Sequence, residues 1–525
     1  MEVFRDLRIE SQIREVSAPL SWLHNNLFVT SLAGVEIARY KSYGTSADRV
    51  SDYMSASPCE AVNCPQHVME PVLLAAARER GADVRFLNEL VHIKQTSDGV
   101  QVRVRERDSG NEYVVNARYV VAADGARSRI ANDLGFSFKG EADLQRMATC
   151  WIEVDLAQYV GYRPGVVTWV AHPGYFEKTF GTASFVSVRP WSEWLLIYPK
   201  NGDTLPSKVD VIDRARRAIG DPTKDVKVKA INEWQVNNVV ATEYRKGRVF
   251  LAGDAAHRHP PAGGLGTNTS IQDAFNLGWK LVWVLTGRAG EGLLDSYEPE
   301  RLPVGEQVVA RAIQSWFDNV ALVDAIGLRS DQTPEQGWAA VHEIYEDSPR
   351  AVERRETLAK ALERVKYRSN ALGVELGQRY VSDAVVDDGA PFPESGRDPE
   401  LYYEPTSHPG ACLPHAWVEH RRARLSTLDL VGHGRFSMIV GVGGERWARA
   451  AADVAVALSI ELPVYRVGLR CEYDDVDGEW EAVREVTETG AILVRPDRHV
   501  AWRSTGLCDD PSKELEAALR RVLAL

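Results

Sequence analysis

The sequence lacks any long apolar run: no stretch reaches the ~18 residues of a membrane-spanning helix, and the N-terminus carries no basic-then-apolar leader pattern. A basic stripe is absent too. With 62 Lys and Arg against 74 Asp and Glu, the formal net charge is −12, which leaves little to neutralise a nucleic-acid backbone. The densest basic cluster, His420-Arg-Arg-Ala-Arg424, reads as a solvated face. Six scattered cysteines (Cys59, Cys64, Cys150, Cys412, Cys471, Cys508) form no C-x-x-C pair. Neither a zinc site nor a dithiol motif is expected, and reduced thiols in a soluble cytoplasmic protein are the default. Repeats and low-complexity tracts are also missing. So is the strand–Gly-x-Gly-x-x-Gly–helix fingerprint of dinucleotide sites. Ile439-Val-Gly-Val-Gly-Gly444 mimics it, but Arg446 stands where the third glycine belongs, so a plain strand-to-helix loop is the expectation there.

What is present is ordinary globular composition, 44% hydrophobic and 26% charged over 525 residues, enough for two or three domains with ample cores. Patterning predicts an α/β chain. Met1–Glu10 reads as helical, and Pro65–Arg80 as a helix closed by Gly81. Val84–Leu87, Val91–Lys94, Val100–Arg105, Tyr113–Val115 and Tyr119–Ala123 follow as strands, the last one apolar throughout, as a strand buried on both faces should be. Thr149–Val154, Val166–Ala171, Thr182–Val188 and Trp194–Tyr198 suggest a large tryptophan-rich sheet. Residues 304–380 read as a charged helical outer layer, and Val385–Pro393 as a linker. Beyond it, Thr427–Val431, Phe436–Val440, Val464–Val467 and a hairpin turning at Pro496-Asp-Arg498 are expected strands, ahead of a final helix Ser512–Leu525.

The most informative stretch is Arg248–Asp273. Val249–Ala252 reads as a buried strand, Gly253-Asp254 ends it, the loop His257-Arg-His-Pro-Pro261 follows, and Gly264-Leu-Gly-Thr-Asn-Thr-Ser-Ile-Gln-Asp273 leads into a helix expected to start near Ser270. Such a unit can set a carboxylate against a hydroxyl and aim a helix N-terminus at a partly anionic ring. His257 and His259, at i and i+2 without further ligands, make a poor metal site, and no metal is expected. A second strand ends in Asp124-Gly-Ala-Arg-Ser-Arg129, weak as an isolated turn but better placed after an apolar strand.

In this wording the chain resembles the single-component FAD-dependent aromatic hydroxylases (flavoprotein monooxygenases), above all the phenol and chlorophenol group. The resemblance implies an FAD-binding Rossmann-like domain (1–145, returning at 241–385), a mixed-sheet substrate domain (146–240) and a thioredoxin-like C-terminal domain (395–525). In the family, wording like Met1-Glu-Val-Phe-Arg-Asp-Leu lies well inside the first domain. The resemblance therefore implies a missing βαβ unit ahead of Met1, and poor stability of the chain as written.

The implied activity is hydroxylation of a phenolic ring by O2 and NADPH or NADH through a flavin C4a-hydroperoxide. Carried across, Asp254 accepts from the ribityl chain, with Gly253 forming the turn. Gly264, Leu265 and Gly266 offer backbone N–H groups to the pyrimidine edge, with Asn268 beside them. Pro261 walls the reactive carbon, Gln66 touches the ribityl or phosphate side, and Asp124-Gly125 serves the Asp-Gly role. Trp234, in Ile231–Asn238, is the candidate near the substrate; the catalytic base is unassigned. A possible homodimer through the C-terminal domain also follows. The alternatives are a non-catalytic relative acting through oligomer contacts and a polyketide-tailoring hydroxylase of the same fold.

Overall fold

The computed structural model describes residues 1–22, 24–175, 181–200 and 202–525. Its largest layer is an eight-stranded mixed sheet in the order His257–Arg258, Lys227–Ala241, Phe138–Glu153, Glu193–Pro199, Ala183–Arg189, Gly165–Val170, Asn25–Val29, Glu36–Lys41. The last two strands come from upstream of residue 138, and Asn25–Val29 pairs in parallel with Gly165–Val170. Alternation sends Cys150, Ile152, Trp194 and Leu196 to one face, against Val211, Ala215 and Ala218 of the helix Lys208–Ile219. The opposite face, with Met147, Trp169 and Val236, packs on helices Tyr297–Ile326 and Pro349–Val365.

The 30-residue helix Tyr297–Ile326 buries Val304, Val308, Ala312, Leu322 and Ile326, so the first part of 304–380 is core and not the outer layer expected from its charge. A second, three-stranded sheet joins Arg245–Lys246, Val249–Leu251 and Val120–Ala122. Its edge strand is shorter than predicted and is not buried on both faces: Val121 is 41% exposed. The expected strand at Val84–Leu87 is likewise corrected. Leu87 takes φ +60°, Phe86 and Leu87 are exposed, and pairing begins only at Asn88–Gln95.

The C-terminal region carries a seven-stranded sheet in which Ser437–Val440 pairs in parallel with Val464–Gly468 and antiparallel with Ala491–Val494. Helices Glu445–Leu458 and Pro511–Val522 complete the β-α-β plus β-β-α arrangement of a thioredoxin-like unit. Thr427–Leu430 is a helical turn and not a strand, because Ser426 and Asp429 form a capping box around it. The Gly441–Gly444 mimic is the loop before Glu445–Leu458.

This region is locked to the rest through buried charge. Glu300 accepts from Lys280 at 2.7 Å, Asn276 at 2.7 Å, Ser382 at 2.6 Å and both Arg495 Nη atoms at 2.6 and 2.8 Å. Burial alone would raise the Glu300 pKa, but Arg495 and Lys280 overcome it and hold the carboxylate well below its ordinary range. Among the described residues, no helix is long and apolar enough to cross a membrane.

Candidate active site

Val249–Leu251 is buried throughout and runs parallel to Val120–Ala122, so both chains leave the sheet on the same side, where open parallel sheets place their ligands. Gly253 turns the first with φ +62°, at a position where a Cβ would lie 2.9 Å from Ser270 Oγ. Asp254 projects outward and is exposed. Asp124, also exposed, accepts the Ile130 N–H at 3.1 Å in the first turn of the short helix Arg129–Asp133, which Ser128 caps, and Gly125 follows it at φ +80°. Arg258 ties the two loops by donating to the Ala126 carbonyl at 2.8 Å. The Asp-Gly and Gly-Asp motifs, 130 residues apart in the chain, are thereby neighbours.

After the exposed Pro261, the loop reaches Gly263 and Gly264, both left-handed at φ +71° and +69°, and the helix Leu265–Leu285 begins. It starts five residues before the expected Ser270. The polar run is helical because Asn268, Thr269 and Ser270 return their side chains to the carbonyls of Gly264, Leu265 and Gly266. Leu265 and Gly266 therefore sit in the first turn, whose N–H groups have no helical acceptor. The helix ends at Leu285, with Gly287 in the left-handed conformation at φ +73° just beyond it.

This N-terminus borders a cavity of 410 Å³ lined by Gln66, Gly264, Leu265, Thr267 and Asn268, with Tyr43 and Tyr53 among its other walls. Gln66 opens the helix Gln66–Glu79 and donates to Glu70 at 2.7 Å. Gly266 lies beside the His259 ring. Trp234 stands apart from this cavity: it donates to Thr149 Oγ1 at 2.8 Å and packs on the face that carries Met147 and Trp169. His259 has its Nδ1 2.7 Å from the Pro260 carbonyl.

Sequence reasoning missed what holds the loop. Asp273 is fully buried; its carboxylate accepts the Gly253 N–H at 3.0 Å and Arg301 Nε at 2.7 Å, and lies 2.8 Å from His257 Nε2. Burial would raise its pKa, but Arg301 and then His257 draw it below the usual value. Arg301 also donates to Gln378, Tyr380 and the Thr269 carbonyl. The available signal was an acid and an arginine set inside otherwise apolar helical faces.

The features fit a flavin. The first turn of the helix borders a cavity, Gly264 leaves open space where a Cβ would stand, and Asp254 is exposed on the loop that leads to it. Comparison with known proteins agrees. Residues 1–312 match an FAD binding domain family and residues 406–524 the aromatic-ring hydroxylase C-terminal family. The chain is 42% identical, over all of its length and 90% of the relative's, to 2,4-dichlorophenol 6-monooxygenase of Delftia acidovorans. It is 38% identical, over all of its length and 84% of the relative's, to phenol 2-monooxygenase of Pseudomonas sp. (strain EST1001). The crystal structure of the flavin-dependent monooxygenase PieE with FAD and substrate superposes with a TM-score of 0.96 at 43% identity, covering 100% of this chain and 90% of that one.

Proposed function

Since the chain belongs to the FAD-dependent aromatic-ring hydroxylases, we propose that it hydroxylates a small phenolic ring, using O2 and NADPH or NADH. The observation that carries this is the cavity at the start of the Leu265–Leu285 helix, where Gly264 and the first-turn amides face open space. FAD, when bound, supplies the hydride acceptor and the O2 chemistry. The chain's own residues bind and orient. Gly264, Leu265 and Gly266 donate backbone N–H groups to the pyrimidine edge, where the positive end of the helix favours negative charge. Asp254 accepts a ribityl hydroxyl, Asp124-Gly125 and Gln66 flank the same chain, Asn268 stiffens the first turn, and Pro261 walls the ring. Trp234 supports the sheet beneath the substrate by packing. A cytoplasmic location and a homodimer through the C-terminal domain belong to the same reading, and all six cysteines are free thiols.

The test is a visible spectrum of the purified chain after incubation with FAD and removal of free cofactor, followed by NAD(P)H oxidation with 2,4-dichlorophenol. A retained flavin band and substrate-stimulated oxidation with a catechol product are expected. A colourless chain, or oxidation indifferent to phenols, overturns the reading.

A further inference from the structure

A second cavity, of 100 Å³, lies behind the first, between the Leu265–Leu285 helix and the C-terminal domain. The two share a wall made of Glu2, Val3, Gln272, Glu375, Leu376 and Gln378. In that wall Glu375 is half-buried, and its carboxylate has no hydrogen-bond or ion-pair partner among the described residues. Unpartnered polar atoms stand on both sides of it. Tyr53 Oη, in the first cavity, is buried without a hydrogen bond. The second cavity is lined by Asn276, Arg498 and His499, and Asn276 Oδ1, Arg498 Nη2 and His499 Nε2 all lack partners. These three residues are 1%, 3% and 9% exposed. Buried polar atoms of this kind are ordinarily satisfied by ordered water, and 100 Å³ accommodates more than one molecule at ~30 Å³ each.

From this arrangement we infer that Glu375 is a proton gate: it takes the hydroxyl proton of a phenol bound in the first cavity and releases it to water held by Asn276, Arg498 and His499 in the second. The inference rests on the reading of the first cavity as the place where a phenolic substrate meets the flavin. The step balances simply. The phenolic O–H bond breaks, a carboxyl O–H forms on Glu375, the ring keeps the electron pair as phenolate, and the carboxyl then protonates a water on its far side. A phenolate is the more nucleophilic ring, so the transfer serves hydroxylation directly.

The electrostatics suit a gate. Burial and the charge of Glu2 push the Glu375 pKa up to about 7, while Arg49 pulls it back. A carboxyl with such a value both accepts and releases a proton near neutrality. From the first cavity Tyr43, Tyr53, Cys59, Glu60 and Cys64 also face this region. Asp497, Arg498, His499, Tyr380, Tyr403 and Cys412 face it from the second. Burial holds the Tyr43 phenol and the Cys59 and Cys412 thiols up at about 12, and Tyr53 and Tyr403 higher still. Glu375, in the wall that both cavities share, is thus placed to titrate near pH 7.

The experiment measures binding of phenol and of anisole, its methyl ether without the acidic proton, to the full chain incubated with FAD, by calorimetry between pH 5.5 and 8.5. Phenol affinity should rise by on the order of tenfold across pH 7 as Glu375 ionises and accepts the hydroxyl, with anisole flat. Glu375→Gln should make phenol flat as well. Cys412→Met, which fills the second cavity with apolar volume, should move the phenol transition to higher pH, because the carboxylate loses its water. Both variants are checked for a wild-type melting transition.

A phenol transition that survives in Glu375→Gln overturns the gate and leaves the proposed function standing. A transition abolished by Glu375→Gln but unmoved by Cys412→Met overturns the release into the second cavity. If neither phenol nor anisole binds, the reading of the first cavity fails, and the gate with it.

Discussion

The Asp273 carboxylate accepts the backbone N–H of Gly253 at 3.0 Å, across a separation of 20 residues. One side chain of the Leu265–Leu285 helix thus fixes where the Val249–Leu251 strand ends, immediately before Asp254. Arg301 on the next long helix balances its charge, with both side chains at 0% exposure. The loop from Gly253 to Gly264 is held at its start by this buried pair and at its middle by the Arg258 bond to the Ala126 carbonyl.

Asp273→Asn should therefore harm both stability and cofactor binding. The amide keeps the shape but leaves the Arg301 guanidinium buried without its counter-charge, a loss of about 3–5 kcal/mol. Urea denaturation with matched m-values reads the first effect, and FAD titration the second. An unchanged midpoint would show that Gln378 and Tyr380 satisfy Arg301 alone.

Arg495 bridges Glu300 and Asp497, two fully buried carboxylates. Arg495→Met should leave Lys280 as the remaining cation on the pair and Asp497 without its guanidinium partner, and cost about 3–5 kcal/mol. The bond spans 195 residues between the C-terminal sheet and the Tyr297–Ile326 helix, so the loss should fall on the contact between these parts. Limited proteolysis is the readout: faster cleavage in 385–410 is expected, and a digestion pattern identical to wild type would refute the lock.

What the sequence disclosed and what it hid follow from range. The Gly253 turn was readable because an apolar strand ran into a glycine that must take positive φ. The helix start was misplaced by five residues because Thr267, Asn268, Thr269 and Ser270 are turn formers by propensity, and the last three become helical by bonding back to carbonyls four residues earlier. The Asp273–Arg301 pair and the Glu300 network join residues far apart in sequence, which no local pattern reports. Glu375 was hidden for the same reason: its surroundings come from the N-terminal helix, the Leu265–Leu285 helix and the C-terminal domain.

Acid sensitivity should come partly from His415. Burial lowers its pKa from 6.5 to about 4, with Asp429 opposing and Arg5 and Arg424 adding to the shift. Between these values the unfolded chain holds a proton that the folded chain does not, so stability rises with pH through this window. It is lost as pH falls from 6.5 towards 4 and adds no further loss below that. His415→Gln should flatten the part of the stability–pH curve between pH 4 and 6.5, measured by urea denaturation at intervals of half a pH unit. A curve parallel to wild type would remove His415 from the account.

Gly263 and Gly264 separate folding from cofactor binding. Both take positive φ, but a Cβ on Gly263 would stand 2.4 Å from the Arg368 carbonyl, whereas one on Gly264 meets nothing within 4 Å. Gly263→Ala should therefore distort the loop whether or not flavin is present. Gly264→Ala should cost only the conformational strain, about 1–2 kcal/mol, and leave the apo chain folded. If the pyrimidine edge rests on the Gly264–Gly266 amides, the new methyl group of Gly264→Ala occupies the cofactor's own space, and FAD affinity should fall at least about tenfold, equivalent to about 1.4 kcal/mol. Thermal melts without FAD and flavin titrations of both variants decide it. Undiminished FAD binding by Gly264→Ala would move the flavin away from this helix N-terminus.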